Sequence, residues 1–300
     1  MKKVRFLFPI LFVLIAVESF SQDFDTLNIV KKGAKLTKVS NQFKFTEGPA
    51  ADRKGNVFFT DQPNNKIWKY DTKGNLSLFL DNAGRSNGLY FDKKGNILSC
   101  ADEKNQLWSI DKKGNHTVLL DNFEGKLLNG PNDLWQDSKG GIYFTDPFYP
   151  RPYWARKNQE IDKKRLYYLP KGSKTAIIMD EDFKQPNGIV GSGDGKFLYV
   201  ADIGASKTYK YEISGEGKLN NRTLFANVGS DGMTTDADGN IYLTGKGVTI
   251  FDKTGKQFAK IPVPSGWTAN VCFGGKNRKL LFITASDSIY TLDMNVKGVN

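Results

Sequence analysis

Six positions of this chain share one spacing, and five of them carry oxygen groups able to do chemistry together. Each lies eight residues before a turn glycine: Glu47, Asn87, Asn132, Asn187, Asp231 and Trp267 precede Gly55, Gly95, Gly140, Gly195, Gly239 and Gly275. Asn-Gly and Asp-Gly pairs often begin turns, which would account for Asn87, Asn187 and Asp231. It accounts poorly for Glu47, or for Asn132, which is followed by Asp133. Two carboxylates and several amide oxygens converging on one axis would be costly to desolvate without a cation. The ring is therefore read as a metal site. Oxygen-only ligands select a hard divalent ion, with calcium ahead of magnesium. Zinc is disfavoured by the donor set, though other divalent ions, zinc among them, stay open.

The chemistry such a ring supports is metal-assisted hydrolysis, in which a carbonyl or phosphoryl oxygen is polarised and a water is made acidic. Asp231 is expected to take the proton or to attack directly, and Glu47 to act as a plain ligand. Arg85, Asn87, Asn132 and Trp267 are candidate substrate contacts. Arg85 and Trp267 could each equally be a loop residue or a plug for the channel. His116, the sole histidine, falls at the start of an outermost strand, so histidine base chemistry near the ring is excluded. Asp61, Asp102, Asp146 and Asp202 return toward the ring at the ends of second strands. They either steady the ligands from behind or cap the loops that follow, and capping is expected for at least two.

Positioning these residues calls for a repeat, and the turn glycines reveal it. "DRKGNVFFTD", "DKKGNILSCAD", "DSKGGIYFTD", "SGDGKFLYVAD" and "DADGNIYLTG" recur every 40 to 55 residues, with a weaker sixth copy at "FGGKNRKLLFITA". A period of that size means propeller blades or a solenoid. Each glycine turn sits between two short apolar strands. A third strand follows in every unit ("KIWKYD", "QLWSID", "RLYYLP") and a fourth in five of them ("LSLFLD", "HTVLLD", "TAIIMD"). Four strands per unit predict an all-β, six-bladed propeller over 36–300. The sixth unit lacks its fourth strand, and Leu36 to Ser40 is expected to supply it and close the ring. Phe148 to Lys164, the largest insertion, lies between second and third strands of the third unit and predicts a loop over one face.

The remaining features set the context. Residues 1–21 carry Lys2, Lys3 and Arg5, an apolar run from Phe6 to Val17, and Ser19 and Ser21, which reads as a signal peptide cut before Gln22. That run is too short for the roughly 20 residues of a bilayer span, so a secreted or periplasmic protein with no membrane span is expected. Residues 22–35 form an N-terminal extension. Removing residues 1–21 lowers the net charge from +11 to +9. The lysines are dispersed through turns rather than grouped, which argues against a nucleic-acid partner and leaves an acidic substrate open. Cys100 and Cys272 fall in separate units and are expected to be buried free thiols. A monomer acting on a small molecule is the simplest expectation.

The segments "FTEGPAAD", "NGPNDLWQDSKGGIYFTDP", "QPNGIVGSGDGKFLYVAD" and "SDGMTTDADGNIYL" resemble the family of senescence marker protein, gluconolactonase and luciferin-regenerating enzyme, related to diisopropyl fluorophosphatase. The resemblance implies a six-bladed propeller holding calcium or another divalent ion through Glu47, Asn187 and Asp231, with Asn132 as fourth ligand or substrate contact. It implies hydrolysis of sugar lactones or, in the relatives, phosphoesters. Many bacterial members carry a Glu-His pair where this chain has "CADEKNQ", a departure that bears on substrate preference. The expected activity is opening of a sugar-acid lactone. A phosphotriesterase on the same ring and a non-enzymatic binding propeller are the alternatives.

Overall fold

The computed structural model describes residues 27–299, so the expected signal peptide lies outside the described residues. The described residues form six sheets of four antiparallel strands. The first blade is β2 (Thr46–Ala51), β3 (Val57–Asp61), β4 (Lys66–Tyr70) and β5 (Leu76–Asp81). The second is β6 (Ser86–Phe91), β7 (Ile97–Ala101), β8 (Gln106–Ile110) and β9 (His116–Leu120). The third is β10 (Leu134–Gln136), β11 (Ile142–Asp146), β12 (Arg165–Leu169) and β13 (Ile177–Asp180). The fourth is β14 (Pro186–Gly191), β15 (Phe197–Asp202), β16 (Lys207–Ile213) and β17 (Leu219–Ala226). The fifth is β18 (Met233–Thr235), β19 (Ile241–Gly245), β20 (Gly247–Phe251) and β21 (Gln257–Ile261).

The sixth blade holds β22 (Thr268–Gly274), β23 (Leu280–Ala285) and β24 (Ser288–Asp293), and β1 (Thr37–Ser40) pairs with β24 as its outermost strand. The expected closure between the start of the propeller and its end is thus present. Neighbouring first strands touch all the way round, from β2 through β6, β10, β14, β18 and β22 back to β2.

The local sequence explains the hairpins. In "DRKGN" the Asp52 carboxylate accepts from the backbone N–H groups of Lys54 and Asn56 and from the Asn56 amide, while Gly55 takes φ 89°. That side-chain turn reverses the chain at a residue only glycine adopts without strain. Asp92 and Asp236 repeat the arrangement with Asn96 and Asn240.

The core consists of six apolar layers, each squeezed between adjacent blades. One joins Phe58 and Ile67 of the first blade to Leu89, Ile97 and Trp108 of the second, and another joins Trp135 and Tyr143 to Ile189, Leu198 and Tyr211. Second strands such as β3 and β11 are buried along their whole length, so they read as unbroken apolar runs. Outer strands such as β21 alternate. Within the N-terminal extension, Ile29 and Val30 are buried against the sixth blade. Cys100 and Cys272 are buried free thiols in different layers. Among the described residues no helix is long and apolar enough to cross a membrane.

Candidate functional site

The equal spacing does translate into one level of the central axis. Glu47 and Asn87 lie in β2 and β6, Asn187 in β14, and Asn132 and Asp231 stand two residues before β10 and β18. Glu47, Asn87, Asn132 and Asn187 are buried, whereas Asp231 keeps partial exposure. Adjacent blades are tied together at this height. Thr60 and Thr145 donate their hydroxyls to the carbonyls of Asn87 and Asn187 in the next blade, and the Gly88 N–H donates to the Asn132 carbonyl at 2.8 Å.

The same contacts correct the sixth copy. Thr244 donates to the Ala269 carbonyl, the Gly232 N–H donates to that oxygen, and Thr268 pairs with Ala285 as Thr46 pairs with Asp61. Ala269, not Trp267, therefore occupies the ring position. The longer turn of "GGKNRKL" made Gly275 a false counterpart of the other turn glycines. Trp267 instead stands nearby, its indole Nε1 donating to Asp231 Oδ2 at 2.6 Å.

Two side chains that the spacing passed over complete the site. Asp133 and Asn270 each follow a ring position, where the other four blades carry Gly48, Gly88, Gly188 and Gly232. Those glycines sit there because of close approach rather than turn formation. A Cβ on Gly88 would stand 2.4 Å from Oδ1 of Asp133, and one on Gly232 1.9 Å from Cγ of Asn270. The vacated space admits Asn270, whose Nδ2 donates to Glu47 Oε2 at 3.2 Å and reaches Asp133 Oδ2 at 3.5 Å. Glu47 Oε2 also accepts from the Gly48 N–H at 2.7 Å. Below these residues an axial cavity of about 370 Å³ continues toward the opposite face, lined by Asp133, Asn270, Trp135 and Met233 among others.

The electrostatics are those of negative charge confined away from water. Burial pushes the Asp133 carboxyl up to about 7, with Asp231 adding repulsion. Burial, then Asp231 and Asp133, hold Glu47 well above the usual carboxylate range. Burial raises Asp231 to about 6, opposed by hydrogen bonds from Trp267 and Asn187 and by the charge of Arg151. Meanwhile the amide oxygens of Asn87 and Asn187 are buried with no hydrogen-bond partner. Buried oxygens without donors are expensive. Confined carboxylates beside them form a donor set that fits a hard cation. Among the described residues no three Asp, Glu, His or Cys side chains cluster tightly enough to hold an ion by themselves. An ion here would have to draw on the amide oxygens as well.

The loop between β11 and β12 covers this face. Asn187 Nδ2 donates to the Tyr149 hydroxyl at 3.1 Å, and Gln185 Nε2 to the Phe148 carbonyl. Asp102 anchors the loop: its Oδ2 accepts from Arg151 Nε at 2.9 Å, from the Tyr153 hydroxyl and from Gln62, and its carbonyl accepts from Trp154 Nε1. Asp61, Asp146 and Asp202 accept from backbone N–H groups of adjoining loops and so act as caps. Arg85 lies over the Tyr153 ring at 4.3 Å and donates to the Pro63 carbonyl, supporting the loop from outside the ring. His116 is exposed and stacks on Trp108 in the second blade.

Fold and site together define a six-bladed propeller with an acidic, amide-rich ring beneath a pinned loop. The chain belongs to the SMP-30/Gluconolactonase/LRE-like family, whose model matches residues 45–287. It is similar to a gluconolactonase of Zymomonas mobilis, 28% identical, with 91% of this chain and 84% of that one aligned. It is similar also to the diisopropyl-fluorophosphatase of Loligo vulgaris, 28% identical over 55% of this chain and 57% of that one. The solved structure of a Xanthomonas campestris gluconolactonase superposes with TM-score 0.83 at 27% identity, covering 90% of this chain and 92% of that one.

Proposed function

We propose that this chain is a lactone hydrolase, opening a cyclic ester of a sugar acid, and that its ring holds a divalent cation, calcium first. The family and its gluconolactonase relatives support the reaction class. The observation that carries the cation is the pair of buried, unpartnered amide oxygens of Asn87 and Asn187 beside three raised carboxyls.

Glu47, Asn187 and Asp231 would hold the ion, with Asn132 or Asn87 as further oxygen donor, and Asp133 and Asn270 backing them. Once bound, it would supply a Lewis acid for the ester carbonyl and offset the charge of the ring. The chain's own residues do the rest. Trp267 fixes the Asp231 carboxylate by one hydrogen bond, and the carboxylate keeps further lone pairs able to accept a proton or bind a cation. Asp231, the partly exposed carboxylate, takes the proton of the attacking water or attacks the carbonyl itself. Tyr149 accepts a hydrogen bond from Asn187 and so ties the loop to the ring.

The phosphoester reading rests on the Loligo relative and asks the same oxygen polarisation of the same residues. A pH-indicator screen of sugar lactones, aromatic lactones and phosphotriesters, with calcium and with chelator, separates the two. Lactone turnover abolished by Asp231→Asn and weakened by Glu47→Gln is expected. No turnover of any ester, with no retained divalent ion, would return the chain to the class of binding propellers.

A further inference from the structure

In the loop over the ring, Arg151 holds a charge that is only partly used. Arg151 Nε is bound to Asp102 Oδ2 at 2.9 Å, and the Arg151 side chain is still 24% exposed against 3% for its partner. Among the described residues none accepts a hydrogen bond from Nη1 or Nη2. Asp102 is itself fixed by Tyr153 and Gln62, so the guanidinium is held by its root with its outer edge free. An arginine so held loses little entropy when it binds a planar or tetrahedral anion two-pronged.

Its position relates it to the reacting groups. The guanidinium carbon lies 5.7 Å from the centre of the Tyr149 ring, and the Tyr149 hydroxyl touches Asn187. Its charge is felt at Asp231, yet it makes no ion pair with that carboxylate. Asp231 therefore does not consume the charge. A chain with a net charge of +9 after removal of residues 1–21 would also attract an acidic molecule more readily than a neutral one.

We infer that Arg151 selects the substrate, and that the preferred lactone carries a second, anionic group, a carboxylate or a phosphate, beside the ester. This rests on the lactonase reading. The free edge of Arg151 grips the anionic group and sets the ester carbonyl over the ring. Asp102 acts as a positioning residue, since it reaches substrate only through Arg151.

The test compares kcat/KM for gluconolactone, the lactone of glucaric acid and phosphorylated gluconolactone, which separates a carboxylate from a phosphate. Calorimetric titration of the open-chain acids onto the same calcium-loaded protein gives a readout independent of turnover. The wild-type protein should favour one anionic lactone over the neutral one by about 30-fold, the scale of a charge-assisted contact. Arg151→Gln should bring that ratio to about one, acting mainly through KM, and Arg151→Lys should restore part of it. Arg151→Gln combined with Asp102→Asn removes the uncompensated buried carboxylate and should give the same collapsed ratio in a folded protein. An absent preference in the wild type, or one unchanged in Arg151→Gln, would overturn the inference. If no lactone turns over, the lactonase reading falls, and the titrations still decide on Arg151: anion binding lost in Arg151→Gln supports it, and equal binding refutes it.

Discussion

The indole of Trp267 donates to Oδ2 of Asp231 at 2.6 Å, linking the sixth blade to the fifth at the open side of the ring. The bond holds the one partly exposed ring carboxylate in a single orientation and opposes the upward push of burial on its pKa. Replacing Trp267 with Phe keeps most of the ring's bulk and removes the donor. The acidic limb of the pH-rate profile should move to higher pH and kcat/KM should fall about tenfold, the scale of one hydrogen bond to a charged group. A profile identical to wild type would show that the bond plays no part in setting Asp231.

Stability without the ion should depend on pH in an unusual sense. The Asp133 and Asp231 carboxyls stand at about 7 and about 6 in the folded chain, above the ordinary 3.8. Between those values the folded state binds more protons than the unfolded one, so stability falls as pH rises from about 4 to 7 and then levels off. Each pH unit by which these two carboxyls stand above 3.8 contributes about 1.4 kcal/mol, so the fall should amount to several kcal/mol. Thermal unfolding with chelator across that range checks it, and added calcium should flatten or reverse the slope there.

The glycines beside the ring should tolerate no side chain. In Gly232→Ala the new Cβ meets the Asn270 amide, and the strand position offers little room to retreat. A loss of about 1–3 kcal/mol is expected from overpacking, together with weaker calcium binding as Asn270 is pushed off Glu47. Urea unfolding and calorimetric titration read the two effects separately.

Asp102 should govern the loop rather than the ring. Asp102→Ala leaves Arg151 and Tyr153 without their shared acceptor and should cost about 3 kcal/mol, as breaking a buried pair does. Limited proteolysis should then cut within 148–164 much faster than in wild type, while calcium affinity changes little.

How far the sequence discloses all this differs from one residue to the next. The six blades and the closing strand at Thr37–Ser40 follow from the turn glycines, because each "DxKGN" turn is a self-contained device. Glu47, Asn87, Asn132, Asn187 and Asp231 share a level because equal spacing from equivalent turns fixes equal height. Trp267 broke the pattern because the longer turn after β22 shifts the sixth copy by two residues, which hid Ala269 and with it Asn270. Asp133 was visible as the exception to a run of glycines at one offset. Tyr149 and Arg151 carried no such signal, since they belong to an insertion found in one blade only.

Titrating calcium back into chelator-treated protein while following gluconolactone opening shows whether a ring-bound divalent ion serves lactone hydrolysis. Hydrolysis should disappear with chelator and return in proportion to calcium, reaching its full value at about one ion per chain. Hydrolysis undiminished by thorough removal of divalent ions would contradict that role for the ion.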